Sequence, residues 1–330
     1  MSVLTTNNLV EMLHARVREF GARGVLEHNG GQGFAPVSFR EMWEQSRAFG
    51  RGLLRENLPP GSRVALLSEN RPEWAYADFG SQMAGCITVP IFPTSAPDTL
   101  RHILADSGTV LAVVSTEKQL KKILEAGNRL PDLKKVVVLE EFPSLLEGSH
   151  VVRYAAFASP TADHFLDAAL AHRIEAIEPE HLVTLIYTSG TTGDPKGVML
   201  THENFLSNIR SAIHMLEVGP TDRVLSILPL SHVFERCCGH FLVLHQGGCI
   251  AYATSIHSLL DDLAATRPTL VLCVPRFYEK VHQRITQKLG ELTGWQKSVA
   301  DWAMKVGKER ASTESPSVVL RILFILANLL

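Results

Sequence analysis

Leu182-Val-Thr-Leu-Ile-Tyr-Thr-Ser-Gly-Thr-Thr-Gly-Asp-Pro-Lys-Gly197 runs from an apolar stretch into a loop of small and hydroxylated residues. Residues 182 to 186 are apolar and largely β-branched, which predicts a buried strand. The loop that follows has the composition of an anion holder. Gly190, Gly193 and Gly197 permit positive φ and close approach of main-chain N–H groups. Thr188, Ser189, Thr191 and Thr192 add hydroxyls that can turn toward anionic oxygens. Lys196 brings a full charge on a long stem, and Pro195 stiffens the turn before it. A strand that empties into such a loop suits a polyphosphate.

Two familiar phosphate loops are excluded by spacing. A Walker A loop requires G-x-x-x-x-G-K followed by Ser or Thr. Here Lys196 follows Pro195 and precedes Gly197, so no hydroxyl stands in the magnesium-ligand position. The G-x-G-x-x-G dinucleotide fingerprint is missing as well. A flexible Gly/Ser/Thr turn without a ligand is the plain alternative. The ordering of these residue types behind a buried strand argues against it.

Outward from this stretch, helix and strand patterns alternate. Helical spacing is evident over 7–20, where Leu9, Met12, Leu13 and Val17 share a face, and over 38–56. Strands are predicted at 63–68, 87–92, 109–115 and 135–140, with helices through 74–83, 100–107 and 117–126. After the loop, further strands are predicted at 223–228, 247–252 and 269–274. This rhythm predicts an α/β fold of mostly parallel sheets flanked by helices. At 330 residues the chain exceeds the roughly 250–300 at which one core stops growing, so two stacked subdomains are expected. The less periodic stretch 141–180 suggests a division into 1–150 and 151–330, the second part carrying the loop.

Composition is that of an ordinary globular protein, 45% hydrophobic and 20% charged. A net charge of −2 gives no sign of a nucleic-acid partner or a strongly anionic membrane surface. The five cysteines, Cys86, Cys237, Cys238, Cys249 and Cys273, contain no C-x-x-C pair, a usage expected of reduced thiols in a cytosolic protein. The N-terminus lacks the charged-then-apolar layout of a secretion signal.

Residues Tyr187 to Val198 resemble the signature loop of the adenylate-forming (AMP-binding) superfamily, which includes acyl-CoA synthetases, luciferases and peptide-synthetase adenylation domains. Leu228-Pro-Leu-Ser-His-Val-Phe-Glu-Arg236, Val274-Pro-Arg-Phe-Tyr-Glu-Lys280 and Glu69-Asn-Arg-Pro-Glu-Trp74 are similar to the long-chain acyl-CoA synthetase branch. The resemblance extends from about residue 10 to the end of the chain. It implies ATP-dependent activation of a fatty acid to an acyl-adenylate and then to a thioester with coenzyme A. It further implies that Thr188, Ser189, Gly190, Thr191, Thr192, Gly193 and Lys196 hold the ATP phosphates, and that Thr188 also ligates Mg2+. Lys196 and His232 would serve the catalytic step. His232, Val233 and Phe234 would border the acyl pocket. Long-chain members carry an aromatic gate shortly after this histidine; Arg236, two residues beyond Phe234, leaves that assignment open. Oligomeric state is left open too, and peripheral attachment to a membrane surface is compatible with a fatty-acid substrate.

Other candidates have plainer readings. Cys237, Cys238, His240 and His245 match no zinc spacing, and 239–244 is apolar enough for a buried helix. Glu69, Arg71 and Glu73 are expected to cap and charge the helix through Trp74. Arg276 and Glu279 are expected to form a structural ion pair. Residues 318–330 are too short and too interrupted, by Arg321 and Asn328, for a membrane span; a core helix is expected. By resemblance, the chain is expected to be the N-terminal portion of an enzyme whose small C-terminal domain lies elsewhere. Two rivals remain: a nucleotide-binding module without ligase activity, and an adenylate-forming enzyme for short, aromatic or amino acids.

Overall fold

The computed structural model describes residues 6–126, 130–142, 150–188, 193–255, 257–313 and 317–327. It divides into two compact units, 1–272 and 273–330. In the first unit the chain runs α1 (Leu9–Phe20), β1 (Gly24–Asn29), β2 (Phe34–Ser38), α2 (Phe39–Arg55), β3 (Arg63–Leu67), α3 (Pro72–Met83), β4 (Ile87–Ile91), α4 (Pro97–Asp106), β5 (Thr109–Val114), α5 (Glu117–Ala126) and β6 (Lys135–Val138). It continues through β7 (Val151–Arg153), α6 (Tyr154–Phe157), α7 (His164–Glu175), β8 (Leu182–Thr188), β9 (Lys196–Thr201), α8 (His202–Ala212) and β10 (Arg223–Ser226). A π-helical segment Glu235–Phe241 then leads into α9 (Leu242–His245), β11 (Cys249–Tyr252), α10 (Leu259–Thr266) and β12 (Leu270–Val271).

These strands form a five-stranded sheet, order β12-β10-β11-β1-β2, and a seven-stranded sheet, order β7-β6-β5-β3-β4-β8-β9. Both are parallel except at one edge, where β2 and β9 run antiparallel to β1 and β8. The mostly parallel α/β architecture is the one expected. Each sheet, however, draws strands from both sides of residue 150. The stretch 141–180, expected to be a link, supplies β7 and α7 instead.

Strand alternation explains how the large sheet carries two cores. Val64 and Leu66 of β3, with Leu111 and Val113 of β5, enter one cluster together with α2 and α3. Ala65, Leu67, Ala112 and Val114 point the other way, into a cluster with Leu100, Ile103 and Leu104 of α4 and Leu120 and Ile123 of α5. Successive strand residues face opposite sides, so both faces must be apolar when helices cover both. Helices α2 and α3 therefore lie inside, and α4 and α5 outside.

Local signals set the helices. Ser38 and Glu41 form a capping box at the start of α2, which satisfies two of the orphan donors of the first turn. Pro72 and Pro97 occupy the first turns of α3 and α4, where a missing N–H costs nothing. Where α2 and α3 cross, a Cβ on Gly80 would stand 2.5 Å from the Ser46 carbonyl oxygen and 2.9 Å from Phe49 Cβ. Only glycine allows this approach.

The second unit holds α11 (Pro275–Glu291), α12 (Gly294–Ala311) and α13 (Val318–Ala327). The expected ion pair between Arg276 and Glu279 is not formed; both side chains are exposed on the first turns of α11. Among the described residues no helix is long and apolar enough to cross a membrane.

Candidate functional site

The strand predicted from Leu182 to Ile186 is β8, which ends at Thr188, and the loop returns as β9 beginning at Lys196. Ser189, Gly190, Thr191 and Thr192 lie outside the described residues. The two ends of the loop are directly paired: Thr188 faces Lys196 across the hairpin, and both side chains are exposed. Gly193 has φ +129°, with open space where a Cβ would stand; other residues rarely adopt this conformation. A hydroxyl and an ammonium group thus stand side by side beyond the carboxyl end of a buried strand. This is where ligands gather in open α/β sheets.

His232, Val233 and Phe234 follow β10 in the other sheet and are all exposed. The Phe234 amide donates to His232 Nδ1 at 3.2 Å. In the neutral ring this leaves the proton on Nε2. The His232 amide itself donates to the Pro229 carbonyl at 2.8 Å. Immediately afterwards the chain plunges inward: Glu235 and Arg236 have no exposed surface.

Arg236 is therefore buried away from the exposed segment His232–Phe234. Its guanidinium pairs with Asp78 on α3 and donates to Thr184 and Thr88 on β8 and β4. Glu235 accepts from the Ser226 hydroxyl at 2.6 Å, and burial pushes its carboxyl up to about 8. His240, also fully buried, is pushed down to about 3 by burial and by the charge of Arg236. His245 is buried, and Cys237 and Cys238 are half-buried. Among the described residues no three His, Cys, Asp or Glu side chains stand close enough to hold a metal ion.

Sequence reasoning passed over Asn70. Its Nδ2 donates to Ser226 Oγ at 3.0 Å and to the Leu228 carbonyl at 2.7 Å, and its Oδ1 accepts from the Leu230 amide at 2.8 Å. Strands β3 and β8 flank β4 in parallel, so the loop after β3 and Thr188 share one edge of the large sheet. Asn70 ties that edge to the segment 226–230 that leads to His232. Its neighbours are used differently from expectation. Glu69 accepts from Ser115 and Gln119 at the β5–α5 junction. Arg71 makes no side-chain cap, pairing instead with Glu73 and Glu140. Only Glu73 lies in the first turn, as expected.

Known proteins resemble this chain in sequence and in fold. The peroxisomal long chain acyl-CoA synthetase 6 of Arabidopsis thaliana is 32% identical over 256 residues, covering 76% of this chain and 35% of that protein. The long-chain-fatty-acid–CoA ligase FadD15 of Mycobacterium bovis is 34% identical over 254 residues, covering 76% and 41%. The chain thus spans roughly two fifths of the length of such relatives. Among solved structures, the anthranilate CoA ligase AuaEII in complex with anthranoyl-AMP superposes with a TM-score of 0.72 at 21% identity, over 84% of this chain and 52% of that one. The N-terminal domain of FACL13 from Mycobacterium tuberculosis gives 0.67 at 21% identity, over 84% and 65%. At such identity these likenesses speak for the fold alone. Residues 14–322 match the AMP-binding enzyme family, and with that match over nearly the whole length the chain belongs to this family.

Proposed function

We propose that this chain carries the nucleotide-phosphate and acyl-binding parts of an AMP-forming long-chain-fatty-acid–CoA ligase. The observation that supports it best is the Thr188–Lys196 pair at the exposed mouth of β8. A fatty-acid carboxylate is a poor acylating agent; its mixed anhydride with AMP is a good one. In the first step a carboxylate oxygen forms a bond to the α-phosphorus of ATP, and the bond to the bridging oxygen breaks, releasing pyrophosphate. In the second, the thiol of coenzyme A forms a bond to the acyl carbon, AMP leaves, and the thiol proton passes to solvent.

Lys196 and the hydroxyl of Thr188 would hold the β- and γ-phosphates and stabilise the charge that builds on the departing pyrophosphate. The remaining loop residues, Ser189 to Gly193, would add their amides. No residue here serves as a covalent nucleophile; the contribution is positional and electrostatic. His232, with its proton on Nε2, would meet the adenylate and carboxylate. Val233 and Phe234 would line the acyl chain. Magnesium is usually held by one or two carboxylates together with substrate phosphates. Thr188 offers a single hydroxyl, so it would hold magnesium only together with the substrate phosphates, whose charge the ion would offset.

Exchange of labelled pyrophosphate into ATP tests the proposal, run with fatty acids of graded length beside acetate and anthranilate. Exchange that rises with chain length supports it. A preference for anthranilate or acetate would overturn the long-chain assignment. ATP binding unaffected by Lys196→Ala would overturn the phosphate assignment.

A further inference from the structure

His102 and Asp106 stand one turn apart on α4, the helix outside the large sheet, and each holds one side of the β8–β9 hairpin. His102 Nε2 lies 2.9 Å from the Pro195 carbonyl oxygen; a carbonyl only accepts, so Nε2 carries the proton. The Tyr187 hydroxyl donates to Asp106 Oδ2 at 2.6 Å. The rings of His102 and Tyr187 meet edge to face, 6.3 Å apart at 89°. Tyr187 is held over Gly197, its partner across the hairpin, where an added Cβ would come within 3.1–3.3 Å of the ring and its hydroxyl.

Tyr187 precedes Thr188, and Pro195 precedes Lys196. One helix therefore fixes the residue next to each member of the Thr188–Lys196 pair. The β8–β9 ladder joins Thr188 to Lys196, and α4 anchors that end of the ladder from the side. A cleft of about 570 Å³ opens beside the His102–Pro195 contact, bordered by Asp98, Arg101, Asp194 and Pro195, while the Tyr187 ring is buried in the cluster under α4. Lys196 begins β9, the edge strand of its sheet, with no strand beyond it among the described residues. An ammonium group on such a ribbon binds phosphate productively only if the backbone beneath it is fixed, since misplacement of about 1 Å is costly.

Resting on the phosphate role of Thr188 and Lys196, the geometry points to His102, Asp106 and Tyr187 as positioning residues that hold this pair against the nucleotide's terminal phosphates. They touch no substrate; they act through the hairpin. Binding of ATP and of AMP to the chain, each with magnesium, distinguishes this role from a merely structural one, because AMP lacks the β- and γ-phosphates. Tyr187→Phe, which removes a single oxygen, and His102→Ala are each expected to weaken ATP about tenfold while AMP affinity stays within about twofold, as for loss of one hydrogen bond. His102→Gln, which keeps an N–H donor, is expected to restore most of the ATP affinity. If Lys196→Ala weakens ATP but His102→Ala and Tyr187→Phe do not, the positioning role is wrong and the phosphate role stands. Equal loss of ATP and AMP affinity in these two variants would also overturn it, since the hairpin would then be supporting the whole fold. If Lys196→Ala binds ATP as tightly as the parent, the phosphate role fails and the positioning role falls with it.

Discussion

Arg236 and Asp78 form an ion pair in which neither side chain reaches solvent. Arg236 Nη1 donates to Thr184 Oγ1 at 2.7 Å and Nη2 to Thr88 Oγ1 at 2.8 Å. Those two threonines are the register partners that join β4 to β8. The rings of Trp74, Phe205 and Phe241 surround the guanidinium at 5.5–5.7 Å. Burial pushes the Asp78 carboxyl up and the Arg236 guanidinium down, and each partner's charge opposes the other's shift. The pair ties the segment after His232 to β8, the strand that runs into the glycine-rich loop.

Removing one member leaves the other charged and unpaired inside the core. Asp78→Ala is therefore expected to cost about 3–5 kcal/mol of folding stability, and Asp78→Leu combined with Arg236→Leu distinctly less. Urea unfolding of the two variants checks this. A double variant as unstable as Asp78→Ala would mean that packing, and not the stranded charge, sets the loss.

Such pairings show where sequence reading reaches its limit. The strand before the loop was legible because four apolar residues and a β-branched threonine stand together, and β3 to β6 because their cores are continuous. Hairpin β1–β2 was not: Gly24–Asn29 and Phe34–Ser38 mix polar and apolar residues, and β2 is an edge strand, half exposed. Strand β9 was hidden because Lys196 and Gly197 read as the end of a loop. His232 and Lys196 were singled out by the motifs around them. Asn70 and Asp78 were not, since each finds its partners about 156–160 positions away and neither residue type announces a distant contact.

Asn70 makes three hydrogen bonds to the segment 226–230 through a half-buried amide. Asn70→Ala leaves the Leu230 amide, which lies in a buried residue, without its acceptor. An unsatisfied buried group costs about 1–3 kcal/mol. Amide hydrogen exchange is expected to quicken at Leu230 while β5 and β6, to which the Asn70 side chain makes no hydrogen bond, keep their protection. Unchanged exchange at Leu230 would show that the segment is held by other means.

Glu235 gives a pH dependence of definite sign. Burial, with a smaller contribution from Cys238, raises its carboxyl from 4.5 to about 8 against the opposing hydrogen bond from Ser226. Between those values the folded chain holds a proton that the unfolded chain has lost. The carboxyl's contribution is thus fully present below about 4.5 and disappears as pH rises through about 8. Glu235→Gln keeps the shape and the acceptor for Ser226 without titrating. Relative to this variant, the parent is expected to lose on the order of a few kcal/mol between pH 5 and pH 8. Parallel stability curves, measured by urea unfolding across that range, would contradict the buried proton.

Phe234 separates function from folding. Its side chain is 42% exposed and Val233 beside it is 39% exposed, so neither is part of the core. Truncation at exposed positions usually changes stability by less than about 0.5 kcal/mol. Phe234→Ala is therefore expected to unfold at nearly the parent's denaturant midpoint. If the ring lines the acyl chain, the same change removes apolar contact that only long acids make. Each lost contact of methylene size is worth roughly 1–3 kcal/mol of discrimination. The expected result is a KM for palmitic acid raised at least tenfold, with the KM for ATP and for a short acid little altered. An equal rise for both acids would place Phe234 near the carboxylate, beside His232, and away from the chain's apolar tail. No change for either would remove it from the pocket, and exposure of an aromatic ring at the head of the π-helical segment would then need a different partner to explain it.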